Sequence, residues 1–396
     1  MSLLLSLPAL GFSSPLTTTR RHLPSGPLIA GYATNCDSDA SHLLEQVAAG
    51  VNVVIWFATS LQRNATSGRP QVTNHLNHTC VATVAQELRR RGLPTAHMIS
   101  IGGWDAPHPD TSFSGEEWFE AWDEWNRGEV ARPALGFPGY DGIDWDLEGN
   151  DAPSSPWNRF TPTCVELVGT MSQAAKRAGY LVSLVPPQSY ADVAASGFDL
   201  SLRHSYPEWQ PDFRYRGRNA YMVWLSDRYG TVEGGVPTFD FVDVQLYETF
   251  SRASYAIDGP PQMPPAKYLA ELARSFARGW RVDFGNESSV GVASQIIVIP
   301  PQRLLLGFSF GSRPPGRSVF IRPSAVAEAW QSLAPDERPR GVMFWNMDID
   351  GHQGVNGTNV TCDLAEGFNS FLRVRNHFRG ARGPPARQAV SSGLKS

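Results

Sequence analysis

Apolar positions in this chain follow two periods in turn. Eight short stretches are continuously apolar or alternate with period two: PLIAGY (27–32), VNVVIWFA (51–58), AHMISIGG (96–103), YDGIDWDLE (140–148), YLVSLVPPQ (180–188), FVDVQLYE (241–248), RLLLGFSF (303–310) and GVMFWNMD (341–348). Successive side chains of a strand point to opposite faces, so these read as buried or half-buried strands. Between most of them lie runs with apolar residues three and four apart. These are SHLLEQVAAG (41–50), VATVAQELRRRG (81–92), GEEWFEAWDEWNRG (115–128), CVELVGTMSQAAKRAG (164–179), AKYLAELARSFARGW (266–280), SAVAEAWQSLA (324–334) and DLAEGFNSFLRVRNHF (363–378), and they read as helices. Such alternation produces a parallel sheet. Eight units over residues 26–378 predict an α/β fold, a single (β/α)8 TIM barrel with a long loop between strands five and six. A doubly wound open sheet is the competing arrangement. The first strand–helix turns lack the Gly-rich phosphate fingerprint of its nucleotide-binding form.

The fourth strand departs from its neighbours. Ile143, Trp145 and Leu147 fall on one parity; Asp144, Asp146 and Glu148 fall on the other. One face meets an apolar layer, and the other carries three carboxyl groups roughly 6.5–7 Å apart. Glu148 ends the strand and is followed by GNDAPSSP, a loop sequence. Barrel active sites sit at the C-terminal strand ends, which is where this row emerges. Three inward carboxyls cannot all ionise cheaply, because neighbouring charge and burial both raise the pKa. The row therefore suits a general acid that keeps its proton near neutral pH. Neutralisation by an inward Arg or Lys is the structural alternative, but no such residue stands at an evident inward strand position. No His cluster lies at the other strand ends, so neither a metal nor any other cofactor is expected. Asp141 has the opposite parity and is expected to fix the strand.

The flanks and the composition add less. Hydrophobic residues make up 41% and charged residues 18%, with a net charge of −4, which gives no reason to expect nucleic acid as a partner. Residues 1–25 hold a short apolar run without a preceding Lys or Arg, read as a leader and a candidate signal peptide. No stretch reaches transmembrane length. Residues 379–396 are rich in Arg, Pro and Gly without an apolar period, and are expected to be a disordered basic tail. Sequons at Asn64, Asn77, Asn286, Asn356 and Asn359 exceed the roughly two expected by chance. They favour a secreted glycoprotein. Cys36, Cys80, Cys164 and Cys362 have no metal-ligand spacing, and both disulfides and free thiols remain open.

The motifs together resemble glycoside hydrolase family 18, the chitinase family. DGIDWDLE (141–148) matches its DGxDxDxE signature in full. SIGG (100–103) is similar to its SxGG, PPQ (186–188) to the APQ of hevamine-like members, and QLY (245–247) to their QxY; MFWNMD places Trp345 where the family has its strand-eight tryptophan. The resemblance spans about residues 27–375. It implies a hydrolase of β-1,4 bonds beside N-acetylglucosamine, with chitin or chito-oligosaccharide as partner; nothing in the sequence suggests an oligomer, so a monomer is expected. The substrate's own acetamido oxygen would be the nucleophile. Glu148 would be the general acid/base, Asp146 would orient the acetamido group, Asp144 would share a proton with Asp146, and Tyr247 would donate to the acetamido oxygen. Gln245 would help fix that group, and Trp345 would floor the reacting sugar. Tyr32, Phe57, Ser100, Gly102 and Gly103 would complete the substrate site, the glycines chiefly by allowing close approach. Glu248 departs from the Asn or Asp that many relatives carry there. The segment 206–230, with Tyr206, Trp209, Phe213, Tyr215, Tyr221, Trp224 and Tyr229, suits either a sugar-binding wall or a satellite core under a loop. No room exists between strands seven and eight for the family's extra insertion domain, so an open groove and endo-type cleavage are expected. The same signature also serves endo-β-N-acetylglucosaminidases acting on N-glycans, and non-catalytic chitin-binding barrels share the fold.

Overall fold

The computed structural model describes residues 21–36, 40–150, 152, 154–202, 217–259, 261–285, 287–311 and 318–374. The leader up to residue 20, Asn286, the tail and the part of the aromatic loop holding Tyr206, Trp209, Phe213 and Tyr215 lie outside them. Eight parallel strands form the centre: β1 (Leu28–Ala33), β2 (Val53–Arg63), β3 (Ala96–Gly103), β4 (Gly142–Leu147), β5 (Leu181–Leu184), β6 (Phe241–Gln245), β7 (Leu304–Ser309) and β8 (Gly341–Trp345). Each pairs with the next in sequence, and β1 pairs with both β8 and β2, so the sheet closes on itself. The closed-barrel expectation holds, and the open sheet is excluded by the β1–β2 pairing.

Helices α1 (Ser41–Ala49), α2 (His78–Arg90), α3 (Gly115–Trp125), α4 (Pro162–Arg177), α5 (Arg252–Asp258), α6 (Pro265–Arg278), α7 (Pro323–Ser332) and α8 (Leu364–Leu372) lie along the connections. Several starts are written in the sequence. Asn77 caps α2, Ser114 and Glu117 form a reciprocal capping box on α3, and Thr161 caps α4 ahead of Pro162.

The inside and outside of the barrel carry separate cores. Outward strand residues such as Ile143, Trp145 and Leu147 join the helices in one large cluster, where Trp145 donates its indole N–H to Ser172 on α4 at 2.8 Å. Inward residues Leu28, Ala30, Val53, Ile55, Ala96, Met98, Leu181, Phe241, Leu305 and Met343 fill the barrel. Trp56, Trp118, Trp122, Trp145 and Trp224 are fully buried, so much of the tryptophan content is packing material.

The structure differs from the sequence reading at several elements. Strand β2 runs on to Arg63 because it pairs antiparallel with an extra strand, Pro70–Asn74. After β5, where the sequence reading placed no helix, the described residues hold a 3-10 turn, Tyr221–Leu225, with Trp224 donating to the Val165 carbonyl of α4 at 2.8 Å. The described aromatics of that loop, Tyr221, Trp224 and Tyr229, are buried, which is the satellite-core reading. An unforeseen hairpin joins Trp280–Asp283 to Ser294–Ile297. Helix α8 stops at Leu372, where Arg373 takes a left-handed φ of 53°. A disulfide joins Cys36 to Cys80, while Cys164 and Cys362 are free thiols. Burial pushes the Cys164 thiol up to about 12, so it is inert. No helix among the described residues is long and apolar enough to cross a membrane.

Candidate active site

The acid row stands on β4 with the parity read from the sequence. Asp144 is fully buried and Asp146 nearly so, while Glu148 lies one residue past the strand end and is half-buried. Tyr32 on β1 donates its hydroxyl to Asp144 Oδ2 at 2.6 Å, and Ser183 on β5 donates to Oδ1. Burial pushes Asp144 up to about 6, and those two hydroxyls, and after them that of Ser100, limit the rise. Ser100 is the register neighbour of Asp144 across β3–β4. Its buried hydroxyl lacks a hydrogen-bond partner at normal distance.

Gln245 at the end of β6 links the upper part of the row. Its Nε2 lies 2.9 Å from Asp146 Oδ1, 3.1 Å from Glu148 Oε1 and 2.9 Å from the Val185 carbonyl. An amide has two N–H groups, so these three acceptors share them. Asp146 is held well above the usual carboxylate range by burial, then by the charges of Glu148 and Asp144. Glu148 is also raised by burial, with hydrogen bonds from Asp146 and Gln245 opposing the rise. The pair therefore titrates together and retains a proton where an exposed carboxylate has none.

Above the row opens a pocket of about 500 Å³. Phe57, Trp104, Asp146, Glu148, Tyr190, Gln245, Tyr247, Glu248 and Trp345 are among its lining residues, and among the described residues no Lys or Arg is. The rings of Phe57 and Trp345 meet edge to face at 4.9 Å, and Tyr32 packs 5.4 Å from Trp345. Tyr247 is half-buried, and its hydroxyl is held well above its ordinary pKa by burial and by the charges of Asp146 and Glu148. It therefore stays a hydrogen-bond donor facing the acids. Glu248 accepts the backbone N–H groups of Ser189 and Phe250, both at 2.9 Å, and burial pushes it up to about 7.

The sequence-derived candidates thus divide by depth. Glu148, Asp146, Tyr247, Gln245, Trp345 and Phe57 reach the pocket wall. Asp144, Tyr32 and Ser100 lie beneath it as the support of Asp146. Gly102 and Gly103 do not line the pocket. Their φ values are 107° and 117°, and a Cβ would come within 2.3 Å of the Asp146 carbonyl and 2.4 Å of the Phe57 ring, so they serve chain packing. Gln188 of the PPQ motif is likewise structural: it donates to the Tyr268 hydroxyl at 2.6 Å and accepts from the Ala253 N–H at 2.9 Å. Asp141 accepts the His97 N–H at 2.9 Å, as expected of a residue that fixes the strand.

Other contributors escaped the sequence reading. Ser183 and Asp243 share the inward parity of their strands, and period two would have exposed them. Asp243 is fully buried with neither oxygen hydrogen-bonded, and burial and Asp144 hold its pKa well above the usual range. Trp104, 63% exposed at the pocket rim, and Tyr190 come from loops that carry no period.

A strand-top pocket that joins a proton-holding acid row to aromatic side chains is an arrangement suited to acid–base chemistry on a ligand with an apolar face. Among the described residues no group of three or more His, Cys, Asp or Glu side chains is placed to hold a metal. The resemblance to family 18 holds in three dimensions: the chain has the fold of the family 18 chitinases. A family 18 chitinase from Chromobacterium violaceum superposes with a TM-score of 0.57 at 16% identity, covering 92% of this chain and 87% of that one. A second, from Pseudoalteromonas aurantia, gives 0.50 at 13% identity, covering 88% and 100%. In sequence, a chitinase of Enterococcus faecalis is 21% identical over 339 residues, 85% of this chain and 82% of that protein. No protein-family model matches the chain.

Proposed function

We propose that this protein is a family 18 glycoside hydrolase, a chitinase that cleaves β-1,4 bonds between N-acetylglucosamine units by substrate-assisted, retaining catalysis. The observation that carries the reading is the linked row: Asp144 beneath, Asp146 and Glu148 bridged by Gln245, with Tyr247 and Trp345 closing the same pocket. Trp345 covers the apolar C–H face of the reacting sugar. Glu148 donates its proton to the glycosidic oxygen. The acetamido oxygen attacks the anomeric carbon from the opposite face, forming an oxazolinium ion as the leaving sugar takes that proton. Asp146, polarised by Asp144, holds the acetamido N–H and stabilises the cation, while Tyr247 donates to the acetamido oxygen. Glu148, now a carboxylate, takes a proton from the incoming water, and the ring reopens with net retention.

Endo-type cleavage belongs to the same reading. Between β7 and β8 the described residues hold a single helix, α7, so no extra domain is described beside the groove. The Cys36–Cys80 disulfide and the sequons support secretion.

The test pairs wild type with Glu148→Gln on colloidal chitin and on a high-mannose glycoprotein. Wild type is expected to release chito-oligosaccharides that begin as the β-anomer by NMR, with a rapid fall in the viscosity of soluble chitin derivatives. Glu148→Gln is expected to be at least about 100-fold slower with an unchanged fold. Release from the glycoprotein alone would replace chitin by N-glycan as substrate. An initial α-anomer would refute acetamido participation.

A further inference from the structure

Glu148 has left the sheet, and contacts from other loops, most of them made by side chains, replace the ladder that would have held it. Register pairing of β4 ends at Leu147 against β3 and at Trp145 against β5. Beyond that point the Leu147 carbonyl accepts the Tyr221 hydroxyl, and the Glu148 carbonyl accepts His108 Nε2 at 3.1 Å. The Gly149 carbonyl accepts the Asp105 N–H at 3.1 Å, and the Gly149 N–H approaches the Tyr190 hydroxyl at 3.4 Å. The Asn150 N–H donates to Asn158 Oδ1 at 2.8 Å. Of these contacts, the only one made to Glu148's own peptide carbonyl comes from an imidazole.

His108 is built in rather than draped over the surface. It is only 9% exposed, and its ring lies 4.7 Å from that of Phe160 with 5° between the planes. Its own carbonyl accepts Gln62 Nε2 at 3.2 Å, which ties the loop to the extended end of β2. A carbonyl only accepts, so Nε2 carries the proton in this contact. Burial lowers the ring's pKa to about 4, so it stays neutral in this tautomer through the ordinary working range.

We propose that His108 is a positioning residue for the proton-donating glutamate, its Nε2–H holding the Glu148 backbone so that the carboxyl stands at a fixed reach over the pocket. This inference rests on the reading of Glu148 as general acid/base. Displacing such a group by about 1 Å is enough to cost on the order of 100-fold in rate. Once β4 ends, the backbone carrying Glu148 depends on such side-chain contacts for that precision.

Two variants separate positioning from packing. His108→Phe keeps a flat ring on Phe160 and removes the donor; His108→Gln keeps an N–H donor. His108→Phe is expected to lower kcat about 10- to 100-fold with KM within about twofold, and to displace the limb of the kcat–pH profile that reports Glu148. Asp146, Glu248, Tyr190, Tyr221 and Tyr247, the titratable groups facing Glu148, are present in both variants, so a difference in that limb reports His108. His108→Gln is expected to recover most of kcat and the wild-type limb. Equal losses in both variants, or a folded His108→Phe with wild-type kcat and pH profile, would overturn the proposal. Should His108→Phe fail to fold, 15N NMR of wild type carries the test: His108 is expected to show protonated Nε2, unprotonated Nδ1 and no titration above about pH 5. An unprotonated Nε2 would refute it. If Glu148→Gln keeps full activity, the underlying reading falls. If that variant is inactive while His108→Phe behaves as wild type, only the positioning role falls.

Discussion

Replacing Asp144 by Asn should stabilise this protein at neutral pH while impairing it as an enzyme. In the folded state burial holds Asp144 at about 6 against an ordinary 3.8. Between those values the native chain keeps a proton that the unfolded chain has released. The contribution of this group is therefore fully present below about pH 3.8 and is lost as pH rises through about 6. At 1.36 kcal/mol per tenfold in proton affinity, ionising Asp144 costs the native state about 3 kcal/mol. Asn is nearly isosteric and never ionises. It must still meet the hydroxyls of Tyr32 and Ser183, which rotate to suit an amide. Any cost of that adjustment is independent of pH and cancels when two pH values are compared. Urea unfolding followed by tryptophan fluorescence, at about pH 4 and about pH 7.5, should show the variant gaining about 2.5 kcal/mol on wild type between them. Activity should fall at about pH 7.5, where Asp146 loses the charge beneath it, and fall less at about pH 4, where Asp144 is already neutral. A stability difference that stays the same at both pH values would refute the argument that Asp144 is held against its own ionisation.

Further outcomes follow from the same geometry. Tyr32→Phe removes a donor to Asp144; a hydrogen bond to a charged group is worth about 1.5–3 kcal/mol, so Asp144 should bind its proton at least about tenfold more tightly. The acid limb of kcat/KM should move up accordingly, and an unmoved limb would disconnect Asp144 from turnover. Tyr247→Phe, losing a donor aimed at developing charge, should lower kcat about 100-fold with the fold intact, as judged by an unchanged melting curve. A small effect would assign Tyr247 to the pocket wall alone. Thiol titration of denatured, non-reduced protein should find two free cysteines, Cys164 and Cys362; four would remove the disulfide and with it one support for secretion.

Much of this was legible in the chain. Period two placed Asp144, Asp146 and Glu148 opposite Ile143, Trp145 and Leu147, because a strand's parity is a local property that tertiary contacts do not alter. The alternation of eight strands with helices implied closure, and the lack of sequence between β7 and β8 implied a site without an extra wall. Gln245 and Tyr247 were readable through the QxY resemblance, and residues two apart share a face. What lay beyond the sequence is what arises when loops from distant parts of the chain meet. Residues 108 and 148 are joined by one hydrogen bond, and the hydroxyl of Tyr221 reaches the Leu147 carbonyl from far along the chain. Neither pairing has a periodic signal, because loop paths are set by what they pack against. The charge state of the row also belongs to the tertiary structure. Sequence supplies carboxyl groups, but only enclosure by Tyr32, Ser183, Gln245 and the barrel walls decides how far each is desolvated and which keeps its proton.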